Sequence, residues 1–237
     1  MLWPGPDSAC YYLDPSAGLT DGGLWKDSSR FGLHCTPVGY AAPNWGYSLG
    51  PSGAPRITFD GAAQYGTIAA PANARFFTAA PLTEMTIAVV ARHNSPAAGD
   101  RIFSCNDAVS TRGFGFAMQA AAVMQIAGYN AVGALIFYPV EGDNGPYISR
   151  TRLTILSGRC VDATARRWVD GVGRVTTYGV AAAPGPIAYD TAVVPTVGRH
   201  TSGGLYFDGD LYFLGIWPLV FTDSEARAFS AYWMDRT

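Results

Sequence analysis

Apolar and polar residues alternate along several stretches of the chain, and this two-residue period is typical of β-strands with one buried face. In 57–68, Ile57 and Phe59 share one face of such a strand. The stretch "MTIAVVARH" (85–93) is rich in β-branched residues and predicts a strand with one buried face. Further strands are expected at "RIFSCN", "GFGFAMQA" and "GALIFYPV", and a meander of three strands is expected between 151 and 180.

The stretch 117–127 is rich in Ala and Met, a composition that also suits a helix. Phe114, Phe116 and Met118 alternate into it, however, and alternation favours strands over a helix. We therefore predict two strands here.

Residues 1–56 are rich in Pro, Gly, Ser and Asp, which punctuate loops. Short apolar pieces such as "CYYLD" and "FGLHCTPVG" predict edge strands within this loop-rich N-terminal segment. The stretch "AAPNWGYSLGPSGAP" (41–55) predicts a long surface loop that carries Trp45 and Tyr47.

Three Asp-Gly pairs stand between alternating stretches, and two of them belong to a repeated Phe-Asp-Gly. Glycine tolerates positive φ and Asp bonds back to nearby backbone, so Asp-Gly predicts a tight turn rather than substrate chemistry. The predicted turns are Asp60–Gly61, Asp170–Gly171 and Asp208–Gly209.

The chain closes with a helical pattern in "TDSEARAFSAYW". Thr222 and Glu225 have the spacing of a capping box, and Ala226, Phe229 and Trp233 follow at helical spacing. This predicts one short amphipathic helix that rests on the strands.

Many short strands with Gly and Pro turns, followed by a single terminal helix, indicate an all-β fold. We predict a two-sheet antiparallel sandwich that forms one domain over residues 1–237. No repeat of solenoid length and no clear linker divides the chain.

Charged residues are only 14% of the chain, and Lys26 is the only lysine. Soluble monomers usually carry more surface charge, so this composition favours burial against copies of the chain or against a partner, although genome composition also explains it. The net charge of −2 argues against a nucleic-acid partner, which needs a basic patch.

The longest apolar run, 211–221, is shorter than the roughly 20 residues that cross a bilayer, so we expect no membrane insertion. The N-terminal stretch lacks a basic n-region and is broken by Pro4 and Pro6, so we expect no signal peptide and folding in the cytoplasm.

The cysteines match no zinc pattern and are expected to be buried free thiols, with a Cys10–Cys35 disulfide left open; they are Cys10, Cys35, Cys105 and Cys160.

Four segments in this order resemble concanavalin A-like (laminin G-like) jelly rolls. They are "DSSRFGLHCTPVG", "RITFDGAAQYGTI", "ATARRWVDGVGRVT" and "PTVGRHTSGGLYFDGDLYFLGIWPLVFTDSEARAF". The resemblance covers most of the chain and implies a jelly-roll sandwich in which the first and last Phe-Asp-Gly strands lie near each other in one sheet. It says almost nothing about function.

The tail "FTDSEARAFSAYW" is also similar to the ends of laminin G-like proteins in tailed-phage genomes, which are commonly virion components. The chain lacks the Asn-Pro that precedes the final Trp in those proteins, so this similarity is partial.

Enzymes of this fold class that resemble laminarinases carry Glu-x-Asp-x-x-Glu on one strand, because retaining hydrolysis needs two carboxyl groups roughly 5–5.5 Å apart. None of Glu84, Glu141 and Glu225 stands in such a motif. Asp208 and Asp210 share a strand face, but a turn role explains them better.

His34, His93 and His200 have no metal-ligand spacing, and neither a Gly-x-Ser-x-Gly elbow nor a phosphate loop occurs. We therefore expect no catalytic residues and no enzymatic activity.

Related lectins bind Ca²⁺ and glycans through loops at one rim of the sandwich, where Asp and Asn oxygens hold the metal. The better candidate loop, "EGDNGPY", contains Glu141, Asp143, Asn144 and Tyr147, and the weaker loop contains Asn106 and Asp107. Asp143 and Asn144 are the calcium candidates, although Gly-Asp-Asn-Gly is also an ordinary tight turn. No cofactor is otherwise expected.

Trp45 and Tyr47 are the remaining carbohydrate-binding candidates, because aromatic rings can stack on sugar faces. Packing of the 41–55 loop against the sandwich is the alternative explanation for both residues.

These features favour a non-enzymatic virion structural protein: a decoration, fibre or tail-associated subunit that aids attachment to a host surface. Its partners would be copies of itself, other virion proteins and cell-surface glycans, and it would leave the cytoplasm by lysis. One alternative is a carbohydrate-binding lectin module in an extracellular setting. The other is a glycoside hydrolase, which the lack of a catalytic carboxylate motif disfavours.

Overall fold

The computed structural model describes residues 3–68, 82–94, 100–106, 113–119, 123–129, 135–137, 151–159, 164–177, 185–187 and 193–237. These residues form two antiparallel β-sheets and one C-terminal α-helix, which confirms the predicted all-β sandwich. Residues 117–119 and 123–127 belong to two strands, Gly113–Gln119 and Val123–Tyr129, as their alternation predicted.

The eight-stranded sheet contains β1 (Tyr11–Leu13), β3 (Tyr47–Leu49), β4 (Pro55–Asp60), β6 (Glu84–His93), β11 (Arg152–Arg159), β12 (Thr164–Val169), β13 (Val172–Thr177) and β15 (Asp208–Trp217). These strands have the order β13-β12-β11-β6-β15-β4-β3, and β1 also pairs with β15. β3 lies within the stretch 41–55, which was predicted to be a loop throughout.

The seven-stranded sheet contains β2 (Cys35–Val38), β5 (Tyr65–Ile68), β7 (Arg101–Ser104), β8 (Gly113–Gln119), β9 (Val123–Tyr129), β10 (Leu135–Phe137) and β14 (Thr196–Val197). These strands have the order β10-β9-β8-β7-β14-β5-β2. The larger buried cluster contains apolar side chains from both sheets, among them Phe59, Val89, Phe103, Phe116 and Leu214.

The two Phe-Asp-Gly segments lie side by side in the eight-stranded sheet. β4 pairs with the first half of β15, and Asp60 stands opposite Asp208. The neighbourhood implied by the jelly-roll resemblance is therefore present.

The eight-stranded sheet is buried on both faces at its centre, which corrects the prediction that 85–93 buries one face. Seven consecutive residues of β6, Met85–Ala91, are buried. The reason is a second apolar cluster on the outer face, where helix α1 (Asp223–Met234) packs Phe229 and Trp233 against Phe213 and Trp217 of β15.

Helix α1 begins at the predicted cap. The Thr222 side chain accepts from the Glu225 N–H, and the Glu225 carboxylate accepts from the Thr222 N–H. Its buried residues, Ala226, Phe229, Ser230 and Trp233, lie on the face that meets the sheet.

Two of the three predicted Asp-Gly turns are present. Asp60 Oδ1 accepts from the backbone N–H groups of the next loop, and Gly61 has φ +70°. Asp170 and Gly171 both have positive φ and join β12 to β13 as a two-residue hairpin.

The predicted turn at Asp208–Gly209 is wrong. Both residues belong to β15, because pairing with β4 and β6 continues to its first residues. A side chain at Gly209 would meet the Arg92 carbonyl oxygen at 2.2 Å, so close approach of strands explains this glycine.

Cys10, Cys35 and Cys105 are buried free thiols, so the Cys10–Cys35 disulfide left open by the sequence does not form. Burial raises the pKa of the Cys10 thiol to about 12. Cys160 lies outside the described residues. None of the described helices is long and apolar enough to cross a membrane.

Candidate functional site

An open cleft of about 190 Å³ lies where the N-terminal segment, the turn between β3 and β4, and the end of helix α1 meet. Each of these three parts of the chain forms one wall. The lining residues are Asp14, Ser16, Ser52, Gly53, Ala54, Pro55, Trp233 and Arg236.

The first wall is a 3₁₀ turn, Pro15–Ala17, which Asp14 caps. Asp14 Oδ1 accepts from the Ser16 N–H at 2.8 Å and from the Ser16 hydroxyl at 2.6 Å. Proline at the first position fixes φ where a helix begins, so the Asp-Pro-Ser sequence favours this geometry. The other carboxylate oxygen, Oδ2, accepts no hydrogen bond from the described part of the chain and is available to a ligand.

The segment that carries Asp14 is anchored from behind by a buried aspartate. Asp27 accepts from the Tyr12 N–H at 2.8 Å, from the Ser29 N–H at 2.9 Å and from the Leu33 N–H at 2.7 Å. Asp27 is the first residue of the "DSSRFGLHCTPVG" segment, and its hydrogen bonds to the backbone hold the N-terminal segment in place.

The second wall is the C-terminal end of α1, where Arg236, two residues beyond the helix, lies against two aromatic rings. Its guanidinium carbon is 4.7 Å from the ring centre of Tyr232 and 5.5 Å from that of Trp233. Arg236 Nη1 also donates to the Tyr232 hydroxyl. Cation–π contact and this hydrogen bond hold the charge at the mouth of the cleft.

Trp233 is the apolar part of this wall. It is 4% exposed and packs its ring 4.6 Å from that of Phe213 on β15. The indole is therefore fixed by the core of the outer face, so the wall beside Arg236 is rigid.

The third wall is the tight turn between β3 and β4. The Gly50 N–H donates to the Ala54 carbonyl at 2.8 Å, and the Gly53 N–H donates to the Gly50 carbonyl at 2.9 Å. Gly53 has φ +81°, and a Cβ there would meet nothing within 4 Å, so the turn conformation rather than crowding favours glycine.

The cleft holds one carboxylate and one guanidinium, so its lining carries no net charge. The nearby Tyr12 hydroxyl interacts electrostatically with both groups. Burial raises the pKa of Tyr12, the Asp14 carboxylate raises it further, and the Arg236 guanidinium opposes this rise.

Trp45 and Tyr47, the predicted sugar-stacking residues, are not among the lining residues. The Trp45 carbonyl accepts from the Trp25 indole N–H at 2.9 Å, which ties the loop to the core. The Tyr47 hydroxyl donates to the Pro15 carbonyl and so supports the turn that presents Asp14. Burial, and then the Asp14 charge, raises the pKa of Tyr47.

The other predicted binding loop, with Glu141, Asp143, Asn144 and Tyr147, lies outside the described residues, as does Asp107. Asn106 is described and buried, and it accepts from the Ser104 hydroxyl at 2.8 Å. Among the described residues, no three His, Cys, Asp or Glu side chains come close enough together to hold a metal ion.

The remaining carboxylates that the sequence singled out have structural partners. Glu84 pairs with Arg159 at 3.4 Å, and Glu225 caps α1. Asp208 accepts from Asn94 at 3.0 Å. Asp210 is buried, pairs with Arg56 at 2.5 Å and accepts from Thr58 at 2.9 Å.

The three histidines lie in different surroundings. His34 Nδ1 accepts from the Asp27 N–H at 3.2 Å, and His93 lies 3.3 Å from Asp100 in a buried pair. His200 Nδ1 lies 2.7 Å from the Ser202 hydroxyl.

No family model matches the chain, and among curated proteins no significant match is found. Solved structures do share its fold. Domain 4 of AbnA, an extracellular GH43 arabinanase from Geobacillus stearothermophilus solved with arabinotriose, superposes with a TM-score of 0.62 at 11% identity, over 95% of this chain and 100% of that domain.

Two larger proteins contain the same fold as a part. The binding domain of botulinum neurotoxin DC, solved with SialylT, has a TM-score of 0.61 at 9% identity over 96% of this chain. Trypanosoma rangeli sialidase has a TM-score of 0.55 at 12% identity over 93% of this chain. This chain covers 52% of the toxin domain and 32% of the sialidase. At such identities the likeness shows the jelly-roll sandwich alone.

Proposed function

We propose that this protein is a non-catalytic carbohydrate-binding module whose cleft holds one sugar unit of a glycan. The observation that carries the proposal is the placement of Asp14 and Arg236 on two walls of one cleft, with Trp233 beside them. Ligand sites are commonly concave, with apolar walls and a few converging polar groups.

A sugar hydroxyl both donates and accepts hydrogen bonds, so it is best held between an acceptor and a donor. The ionised Asp14 carboxylate only accepts and the Arg236 guanidinium only donates. The Ser52 hydroxyl can do either, and the Ser16 hydroxyl, which donates to Asp14, can accept. The four side chains therefore match a ring that carries several hydroxyl groups.

The size and the apolar part of the cleft also suit a sugar ring. The volume of about 190 Å³ is far above the roughly 10–15 Å³ that a single water needs, so the cleft has room for a ligand larger than a few waters. Ala54 and Pro55, which are partly exposed, offer apolar surface for the C–H groups of the ring.

The structural neighbours support the same proposal at the level of fold. The arabinanase domain was solved in complex with arabinotriose and the toxin binding domain in complex with SialylT, so sandwiches of this shape bind these ligands in those proteins. We infer a cell-surface or extracellular glycan as the partner.

The absence of catalysis is part of the proposal. Glycoside hydrolysis ordinarily needs two carboxyl groups across the scissile bond, and Asp14 is the one carboxylate among the described lining residues. A virion role, which the sequence favoured, stays a prediction, because neither the fold nor the neighbours bear on it.

The test begins with a glycan array probed with the full chain in the presence and absence of EDTA. The best glycan is then titrated calorimetrically against wild type, Asp14→Asn and Arg236→Gln. Asn keeps the oxygen that caps the 3₁₀ turn but removes the charge. Because hydrogen bonds to charged groups are worth about 1.5–3 kcal/mol, we expect each variant to bind about 10- to 100-fold more weakly.

Arg227→Gln is the matched control, because Arg227 lies exposed on the same helix and does not line the cleft. It should bind like wild type. Binding that is unchanged in both Asp14→Asn and Arg236→Gln would contradict the proposed site, and release of reducing sugar from the glycan would contradict the non-catalytic assignment.

A further inference from the structure

The segment 198–207, which joins β14 to β15, covers part of the outer face of the seven-stranded sheet. Pairing aligns Ser104 of β7 with Thr196 of β14 on this face. Phe103, the residue before Ser104, belongs to the core, so Ser104 points away from the core because successive strand residues face opposite sides. Ser104 is nevertheless fully buried, and the segment 198–207 contributes to its cover through the contacts described next.

Hydrogen bonds of groups that do not titrate hold the segment on this face. The Thr201 N–H donates to the Ser104 hydroxyl at 3.4 Å, and the Thr201 hydroxyl donates to the Asn106 carbonyl. The Gly203 N–H donates to the His200 carbonyl at 3.0 Å and closes a tight turn. Backbone and hydroxyl groups keep their protons between pH 5 and 8, so these bonds alone would make the turn insensitive to pH in that range.

The ring of His200 lies under this turn and is 8% exposed. Its Nδ1 accepts from the Ser202 N–H at 3.2 Å and lies 2.7 Å from the Ser202 hydroxyl oxygen. On the other side of the ring, Nε2 lies 3.5 Å from the Asn106 amide nitrogen. A ring nitrogen accepts a hydrogen bond only while it carries no proton, so the closed turn holds a neutral imidazole.

A proton on Nδ1 removes the acceptor on which the turn depends. The Ser202 hydroxyl can then accept from Nδ1–H, but the Ser202 N–H loses its partner. Among the described residues, the charges that act on the ring come from Arg101 of β7 and Arg199 of the segment itself, and both are positive. Burial first, and then these two charges, lower the pKa of His200 below 6.5.

We propose that His200 is a pH-sensitive switch: when its ring takes up a proton, the turn 200–204 detaches from the outer face of the seven-stranded sheet. In the detached turn the imidazolium ion is hydrated, so acid favours detachment. Ser104 and the side chain of Asn106 then become exposed, and this face gains a hydrogen-bonding surface that it lacks at neutral pH. The cleft does not contain these residues, so the switch does not depend on the proposed glycan site.

The proposed switch operates in a defined direction. The pKa of His200 is lowered in the closed turn and has its ordinary value near 6.5 in the detached turn. The neutral ring therefore stabilises the closed turn above pH 6.5, and this stabilisation is lost as the pH falls from 6.5 through the lower pKa of the closed turn. Because one proton is taken up, the population of the detached turn rises at most about tenfold per pH unit.

The test is amide hydrogen exchange of the full chain, followed by NMR between pH 7.5 and 5 and divided by the intrinsic exchange rate at each pH. The amides of Thr201, Ser202 and Gly203 should keep constant protection above pH 6.5 and lose it below, by up to about tenfold per unit. The amides of β15 are the internal reference and should keep their protection, because the proposed opening is local.

Three variants separate titration from stability. Gln takes up no proton, so in His200→Gln the protection of the turn should no longer change with pH. Thr201→Val loses the hydroxyl donor but keeps the ring, so protection should fall at every pH while its pH dependence remains. His34→Gln is the matched control, because His34 Nδ1 also accepts a backbone N–H, that of Asp27 at 3.2 Å, and the turn should respond as in wild type.

Three outcomes would overturn the switch. The first is constant protection of the turn down to pH 5, and the second is a wild-type pH dependence in His200→Gln. The third is a parallel loss of protection in β15, which would indicate global unfolding in acid. Asp14→Asn should leave the response of the turn intact, so failure of the glycan site and failure of the switch are distinguishable.

Discussion

At the scale of single residues, Asp210 shows how strongly a buried charge depends on its partner. Its carboxylate is buried and is held by Arg56 at 2.5 Å and Thr58 at 2.9 Å. Asp210→Ala leaves the partly buried Arg56 without its counter-charge, so we expect a loss of about 2–3 kcal/mol in the free energy of unfolding.

Urea denaturation followed by fluorescence measures this loss. Asp223→Ala is the control, because its pair with Arg166 at 3.0 Å is exposed and should contribute below about 1 kcal/mol. If Asp210→Ala and Asp223→Ala lowered the free energy of unfolding equally, burial of an ion pair would not determine how much it stabilises this fold.

Asp60 connects a turn to the pH dependence of stability. Its slight burial favours the neutral form, but the backbone N–H donors of Ala63, Ala62 and Gln64 outweigh this and lower the pKa of Asp60 below 3.8. Because the carboxylate form of Asp60 is favoured in the folded state, it stabilises the fold at pH values above the pKa of Asp60 in the unfolded chain. This stabilisation is lost as the pH falls through the lower pKa of the folded state.

We therefore expect Asp60→Asn to lower Tm at pH 7 and to have a smaller effect below pH 3. Thermal melts of wild type and variant across this range check the sign. A deficit in Tm that grows as the pH falls would contradict the assignment.

At the scale of secondary-structure elements, helix α1 depends on its cap and on the aromatic residues beneath it. Thr222 and Glu225 satisfy each other's backbone N–H groups, and Phe229 and Trp233 fix the helix to β15. Thr222→Ala should lower the free energy of unfolding by about 1 kcal/mol.

This substitution also reports on the cleft, because α1 carries Arg236 just beyond its end. We expect Thr222→Ala to preserve glycan affinity within about twofold, since the cap is at the far end of the helix. Calorimetry and denaturation on the same sample measure both quantities, and a large loss of affinity without loss of stability would contradict this division of roles.

The sequence predicts elements where one local rule decides. The cap of α1 needs only Thr222 and Glu225, and the Asp170–Gly171 hairpin needs two residues that tolerate positive φ. At Asp208–Gly209 the same dipeptide lies inside β15, because pairing with two neighbouring strands overrides the local preference.

At the scale of the whole molecule, the cleft could not be predicted because it joins opposite ends of the chain. Its Asp14 wall reaches the end of α1 because β1 pairs with Leu214–Ile216, the last part of the strand that precedes the helix. Asp-Pro-Ser and the helical spacing of Trp233 were each visible in the sequence, but no local pattern indicates that they meet.

The cysteines provide a global test of the sandwich. Cys10, Cys35 and Cys105 are buried, and burial raises the pKa of each thiol, so the reactive thiolate is scarce at neutral pH. A thiol reagent should therefore label none of the three in the native protein and all three in denaturant, without prior reduction. Mass spectrometry of labelled peptides reads the result, and labelling of Cys35 in the native state would contradict the core described above.

The most direct test of the central claim follows the tryptophan indole N–H signals by NMR while the best array glycan is added to the full chain. The proposed site predicts that the Trp233 signal shifts with a saturating dependence on glycan concentration. The signals of Trp25 and Trp168, which are buried and do not line the cleft, should stay in place. Saturable glycan binding that leaves Trp233 unmoved would place the binding site elsewhere and contradict the account.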